Sequence, residues 1–249
     1  MIELSLVGIG TGNPRHLSLQ AIDAIQAADL ILIPLKGAEK QDLADLRQAM
    51  CRAYALPSCK IAAFPLPRRD TGTDSYRKAV DDWHDAIATC WHDQIRANLP
   101  RGGKVVFLIW GDPSLYDSSL RIADRLESKL SIRRQVIPGI TAIQALCAAH
   151  AITLNTIGEP VHITTGRDLR DQGWPAQTNT AVVMLDGGNA FLTLPPDRVH
   201  IWWGAFLGMP EQVLLSGPLD RIGPQIAETR AKARAAHGWI MDVYLLRRQ

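Results

Sequence analysis

Apolar and polar residues recur along this chain in two periods, and the switches between them mark out the elements. Residues 2–9 (IELSLVGI) predict a first strand. A glycine-rich run, Gly8-Ile-Gly10-Thr-Gly12-Asn-Pro14, follows it. Ser18 then stands as a helix N-cap ahead of Leu19, Ile22 and Ile25 at helical spacing. Residues 30–33 predict a second strand ended by Pro34, and Asp42 opens a helix with Leu43, Leu46, Met50 and Ala53 inward. Residues 60–64 read as a short strand and 65–74 as a loop. A long helix follows, with Tyr76, Val80, Trp83, Ile87, Trp91 and Ile95 on one stripe. Val105 to Trp110 is an unbroken apolar run, the pattern of a strand buried on both faces. It stops at Gly111-Asp112-Pro113, a helix-start signature: an N-cap acceptor, then a residue whose missing N–H costs nothing in the first turn. Ser118 is a second possible cap, and Leu120, Ala123, Leu126 and Leu130 keep helical spacing behind it. With a further strand at 132–137, strands alternate with helices, which predicts a mostly parallel sheet covered on both faces.

Pro138-Gly139 breaks this rhythm, and residues 141–149 read as a small-residue helix. Beyond it strands are expected at 161–164, 180–185, 198–203, 213–216 and 239–246, with one long helix near 219–236. The fold class is therefore α/β in two domains, 1–137 with a mostly parallel sheet and 138–249 with a mixed one.

A chain of 249 residues, 47% apolar and 21% charged, has ordinary globular composition and can bury a sizeable core. The four cysteines include no C-x-x-C pair, so neither a zinc ribbon nor a disulfide framework is suggested, and a reducing cytoplasmic setting fits. Residues 1–9 read as a strand and not as a signal peptide. The longest span without Asp, Glu, Lys or Arg, 135–158, holds Pro138, Gly139, His150 and Asn155 and reads as buried protein, not a membrane span. A net charge of +2 rules out neither nucleic acid nor anionic small molecules as partners and supports neither strongly, but charge is uneven: residues 36–78 hold nine Lys/Arg against five Asp/Glu. Lys36, Lys40, Arg47, Arg68, Arg69 and Arg77 fall on or near loops there, and such groups suit a polycarboxylate substrate.

In open α/β sheets ligands bind beyond the carboxyl ends of strands, which makes Gly111-Asp112 a candidate ligand corner. The Gly8–Gly12 cluster departs from G-x-G-x-x-G because Asn13 and then Pro14 occupy its end, so it reads as a plain turn or a loop for a ligand without phosphate. Walker A, H-E-x-x-H, G-x-S-x-G and kinase signatures do not occur. His84 and His92 alternate with Asp82, Asp85 and Asp93 on what reads as a solvent face, so no metal is expected. Of Trp202 and Trp203 at the end of a strand, one could offer a flat surface to a planar ligand.

Three segments in order, the G-x-G-x-G-x-P-x-x-L-S loop at 8–18, the strand followed by Gly111-Asp112-Pro113-x-x-Tyr116, and VIPGITA at 136–142, resemble the tetrapyrrole methylase family of S-adenosylmethionine-dependent methyltransferases. The likeness runs the length of the chain. It implies two α/β domains with the cofactor folded up between them, commonly in a homodimer. It puts cofactor contacts at Thr11, Trp110, Gly111, Asp112, Leu115, Thr141, Ala142, Leu185, Ala205 and Met241. Two further stretches, Ile33 to Arg47 and Trp110 to Ile122, resemble a branch belonging to aerobic cobalamin biosynthesis. The reaction implied there is methylation of a ring carbon with release of an acetyl group as acetate. Asp117 and Tyr116, just past the corner, are then the candidate catalytic residues, and Lys36, Lys40, Arg68 and Arg69 the candidate contacts to the substrate's carboxylates. The competing readings are a methylase of the same family with another acceptor, a tetrapyrrole carrier, and a nicotinamide dehydrogenase. Asn13 speaks against the last.

Overall fold

The computed structural model describes every residue except 36–40, 71, 73, 74 and 249, and among these every side chain except those of 41, 42 and 76. The chain forms two compact units, Met1–Ile140 and Thr141–Gln249, so the division follows Ile140, where the sequence reading put it after Ile137.

The first unit is built on five strands, β1 (Ile2–Gly8), β2 (Leu30–Leu35), β3 (Lys60–Pro65), β4 (Gly103–Ile109) and β5 (Ile132–Ile137). They lie in the order β3-β2-β4-β1-β5 and pair in parallel throughout. Helices α1 (Leu19–Gln26), α2 (Gln41–Tyr54), α3 (Tyr76–Asn98) and α4 (Ser119–Glu127) cover it. The all-apolar texture of β4 follows from this sandwich. Val105, Phe107 and Ile109 pack with Ile87, Trp91 and Ile95 of α3 and Leu126 of α4. Val106 and Leu108 face the opposite core, with Ile25 of α1 and Met50 of α2.

Several expectations need correction. Leu19 and Ala53 are exposed, because Ala21, Ile25, Leu43 and Met50 supply the buried faces of α1 and α2. Strand β2 runs on through Pro34 to Leu35, where it pairs only with β3. Helix α4 starts at Ser119 and not at Pro113. Residues 112–117 form a turn in which Tyr116 takes a left-handed φ of 48°. Ser118 holds the N-cap position as expected but its side chain makes no capping bond; the Asp117 Oδ1 instead accepts from the Ser119 N–H at 2.6 Å. His84 is only 2% exposed, because α4 packs over that side of α3.

The second unit holds β6 (Val161–Thr165), β7 (Thr180–Met184), β8 (Val199–Ala205), β9 (Val213–Pro218) and β10 (Asp242–Arg248). Their order is β6-β7-β10-β8-β9, with β6 and β7 parallel and the other pairs antiparallel. Helix α5 (Ala142–His150) begins in a capping box between Thr141 and Gln144, and α7 (Leu219–His237) is the long helix expected. Between them lies α6 (Gly166–Gln172), too short and too polar to show as a period. Trp203 is fully buried and Trp202 half-buried, its ring 4.1 Å from that of His200. Among the described residues no helix is long and apolar enough to cross a membrane.

Candidate active site

The carboxyl end of β4 makes a corner of unusual construction. Gly111 turns with φ +66° and forms a two-bond bridge to Gly10 just past β1, N–H to carbonyl at 2.8 and 3.2 Å. Gly139, just past the end of β5, closes against Gly111 and Gly8: a Cβ there would lie 2.2 Å from the Gly111 carbonyl oxygen, and one on Gly8 would lie 2.5 Å from the Gly139 nitrogen. Three strand ends thus meet backbone to backbone, which only glycine permits. The exception points outward: among the described residues nothing stands within 4 Å of the place a Cβ on Gly111 would take.

Asp112 locks this corner. Its Oδ2 accepts from the Gly139 N–H at 2.8 Å, and its Oδ1 from the N–H and hydroxyl of Ser114. Burial opposes the charge, but these hydrogen bonds outweigh it and hold the carboxyl below the usual carboxylate range. Thr11 is buried just after the Gly10 bridge, and its hydroxyl has no hydrogen-bond partner among the described residues. A buried hydroxyl without a partner is costly unless a ligand satisfies it.

Strands β2 and β4 pair only over Leu30–Leu32 and part toward their carboxyl ends. Arg47 of α2 fills that split. Its Nε donates to the Leu108 carbonyl at 2.9 Å and its Nη1 to the Leu43 carbonyl at 3.0 Å, and its guanidinium lies 5.9 Å from the Trp110 ring centroid. It is buried in mid-helix, so it is not among the loop-side surface cations that the charge pattern suggested. Desolvation pulls its pKa down to about 10 against the opposing pull of Asp117, so it stays charged at neutral pH. Tyr116 is 44% exposed. The described hydrogen bonds to the Asp117 carboxylate engage only Oδ1. Leu115 is half-buried, and Arg68 and Arg69 stand exposed on the loop after β3. Lys36 and Lys40 lie outside the described residues. A groove of about 350 Å³ lined by Glu3, Ser5, Lys104 and Arg133 sits at the amino ends of β1, β4 and β5, the wrong end for a parallel-sheet ligand site.

In the second unit Thr141 and Ala142 open α5, with the Thr141 hydroxyl and N–H both held by the Gln144 side chain. Leu185, just past β7, is 66% exposed and left-handed at φ 53°. Ala205 ends β8 fully buried, and the half-buried Met241 precedes β10, its carbonyl accepting from the Phe206 N–H at 3.0 Å. Sequence reasoning missed the polar groups of this second unit that adjoin Leu185 and Met241: Asp186, Arg230, Asp242 and Tyr244. Asp186 and Tyr244 are far apart in the chain, and nothing local marks them as partners.

The model of the tetrapyrrole (corrin/porphyrin) methylases matches residues 3–223. The chain belongs to this family. A precorrin-6A synthase (deacetylating) from Sinorhizobium is 45% identical over 251 residues, covering 100% of this chain and 96% of the relative. The crystal structure of a cobalamin-synthesis-related protein, CobF, from Corynebacterium diphtheriae superposes with a TM-score of 0.85 at 42% identity, covering 100% of this chain and 99% of the other. A uroporphyrin-III C-methyltransferase from Thermus thermophilus complexed with S-adenosylhomocysteine shares the fold, with a TM-score of 0.63 at 18% identity over 98% of this chain and 91% of that one.

Proposed function

We propose that the chain is a deacetylating precorrin-6A synthase, an S-adenosylmethionine-dependent enzyme that methylates C-1 of precorrin-5 and releases the extruded acetyl group as acetate. The full-length relative of that name supports the acceptor. The single observation that carries the site is the corner at Gly111, open where a side chain would stand, beside a carboxylate fixed as an anion.

The residues present fit the methyl donor. The space at Gly111 admits a ligand against the backbone, and the unpartnered Thr11 hydroxyl offers it a hydrogen bond. Thr11, Trp110, Gly111, Asp112, Leu115, Thr141, Ala142, Leu185, Ala205 and Met241 are the residues that would hold it. When bound, S-adenosylmethionine supplies an electrophilic methyl group on a sulfonium. The chain's own task is alignment: the Gly10–Gly111 bridge and the Asp112–Gly139 bond leave the corner little freedom. Positioning of this kind can supply about 7–11 kcal/mol of barrier reduction.

Deacetylation needs a proton acceptor. Water adds to the acetyl carbonyl and the bond from that carbon to the ring breaks. Acetate leaves, and the released electron pair passes through the conjugated macrocycle to C-1, the atom methylated. Asp117 takes the water's proton on Oδ2, since Oδ1 is committed to the Ser119 N–H at the start of α4. Tyr116, exposed beside it, faces the substrate side of the turn in this reading. Lys36, Lys40, Arg68 and Arg69 meet the substrate's acetates and propionates, so lowered salt should tighten substrate binding. No metal takes part. The enzyme works as a homodimer in the cytoplasm, a setting consistent with four unpaired cysteines, and neither nucleic acid nor membrane is a partner.

Incubation with precorrin-5 and methyl-labelled donor tests this. Label in the tetrapyrrole and one acetate per methyl are expected, and Asp117→Asn should slow acetate release. Methylation without acetate would reject the acceptor, and an unimpaired Asp117→Asn would reject the base.

A further inference from the structure

Leu185, Ala205 and Met241 lie on three separate segments of the second unit, yet one polar network stands behind all of them. Asp186, next to Leu185, is buried. Its Oδ1 accepts from the Gly188 N–H at 2.8 Å, and its Oδ2 from the Ala190 N–H and the Tyr244 hydroxyl at 2.7 Å each. Gly166 of α6 closes over it so tightly that a Cβ there would lie 2.5 Å from the Asp186 side chain. Asp242, next to Met241, pairs across the sheet with Ala205. Its Oδ2 accepts from Trp203 Nε1 at 2.9 Å and from Arg230 Nε at 2.8 Å. Arg230 joins the two halves: the same guanidinium donates from Nη2 to the Asp186 backbone carbonyl at 2.6 Å.

The corners so joined are strained. Leu185 and Phe206, the residue after Ala205, are non-glycine residues at φ 53° and 50°. Such conformations persist where surrounding contacts over-determine them, and they gather at ligand-clamping sites. A fork of donors on one rigid plane is the group that can fix two acceptors relative to each other; a lysine ammonium on a flexible stem cannot reproduce it. Arg230 and Asp242 are nearly out of solvent, and a buried ion pair is weak evidence of a stabilising role in itself.

We propose that Arg230 is a positioning residue for methyl-donor binding: by bridging the Asp186 carbonyl and the Asp242 carboxylate it sets Leu185, Ala205 and Met241 into one platform. This rests on the reading that the donor contacts those three residues. It adds that a buried arginine touching none of the reactants governs donor affinity.

The test is calorimetric titration of S-adenosylhomocysteine into the full-length wild type and the variants Arg230→Met, Arg230→Lys, Leu185→Asp and Val182→Ala, each with its melting curve. Val182 is fully buried in β7 and pairs with Leu245, so its side chain stands on the opposite face of the sheet from Tyr244, and its truncation should lower stability alone. Arg230→Met should weaken binding by about tenfold or more relative to Val182→Ala, whatever the two melting temperatures. Arg230→Lys, which keeps a cation beside Asp242 but not the bridge, should weaken it too while melting nearer the wild type, and it carries the test if Arg230→Met does not fold. Folded Arg230 variants that bind as tightly as Val182→Ala, with Leu185→Asp weakened, would overturn the positioning role alone. If Leu185→Asp also binds normally, the placement of the donor on this platform falls as well.

Discussion

A side chain at position 111 separates two demands on the same residue, backbone conformation and open space. At φ +66° a non-glycine residue is strained by about 1–2 kcal/mol, but no atom of the described residues lies within 4 Å of its Cβ, so no clash with them adds to this. Gly111→Ala should therefore fold, with a melting temperature lowered by roughly 2–8 °C for a unit of this size. Gly111→Leu carries the same strain and fills the space the donor would occupy. Its affinity for S-adenosylhomocysteine should fall by about a hundredfold or more, about 2.7 kcal/mol, with the alanine variant between it and the wild type. Gly139→Ala is the contrast: its Cβ would be 2.2 Å from the Gly111 carbonyl oxygen and 2.7 Å from the Gly8 carbonyl carbon, so it should not fold to the native state at all. Calorimetry on variants shown to be folded by circular dichroism decides the matter. A folded Gly111→Leu protein that binds S-adenosylhomocysteine as the wild type does would refute the assignment of the corner to the donor.

Asp112→Asn offers one acceptor oxygen where Ser114 and Gly139 now use two, and should lose about 1.5–3 kcal/mol in denaturant melts. Because the folded carboxyl lies below its unfolded value of about 4, the stability it gives is present above that pH and lost as pH falls through the folded value, a limb the variant should lack. His84, held neutral by burial and the nearby Arg125 and Arg121 charges, has a folded pKa below its unfolded one, so the wild-type melting temperature should drop as pH falls below about 6.5. His84→Leu should flatten that drop, leaving the part due to His200, whose pKa is lowered in the same sense. Arg47→Met strands the Leu108 carbonyl and should cost about 1–3 kcal/mol on thermal melting; an unchanged melting temperature would mean that the split between β2 and β4 does not need its staple.

What the sequence made legible was periodic or local. The apolar run of β4 announced a strand buried on both faces, the glycine after it announced a turn, and Thr141 with Gln144 carried a helix start in plain sight. Errors came where one residue answers to a distant one. Asp112-Pro113 has the look of a cap, but the Asp112 carboxylate is taken by Gly139 from another strand end, and the helix waits until Ser119. His84 alternates with acids and looks solvated, yet α4, which begins far along the chain, buries it. Arg47 reads as one more surface cation because the carbonyl it satisfies belongs to β4. The second-unit platform was the least legible, since Asp186, Arg230 and Tyr244 meet only after three segments have packed.

The position of β1 within its sheet has a consequence for biosynthesis. Strand β1 pairs with β4 and β5, both far later in the chain, so that Ile2 must wait for Gly103 and Ile132. Until then a highly apolar segment has no native neighbour, and closing so long a loop is slow. Nascent chains stopped before β4 should therefore be sticky and dependent on chaperones, and those released after β5 should not.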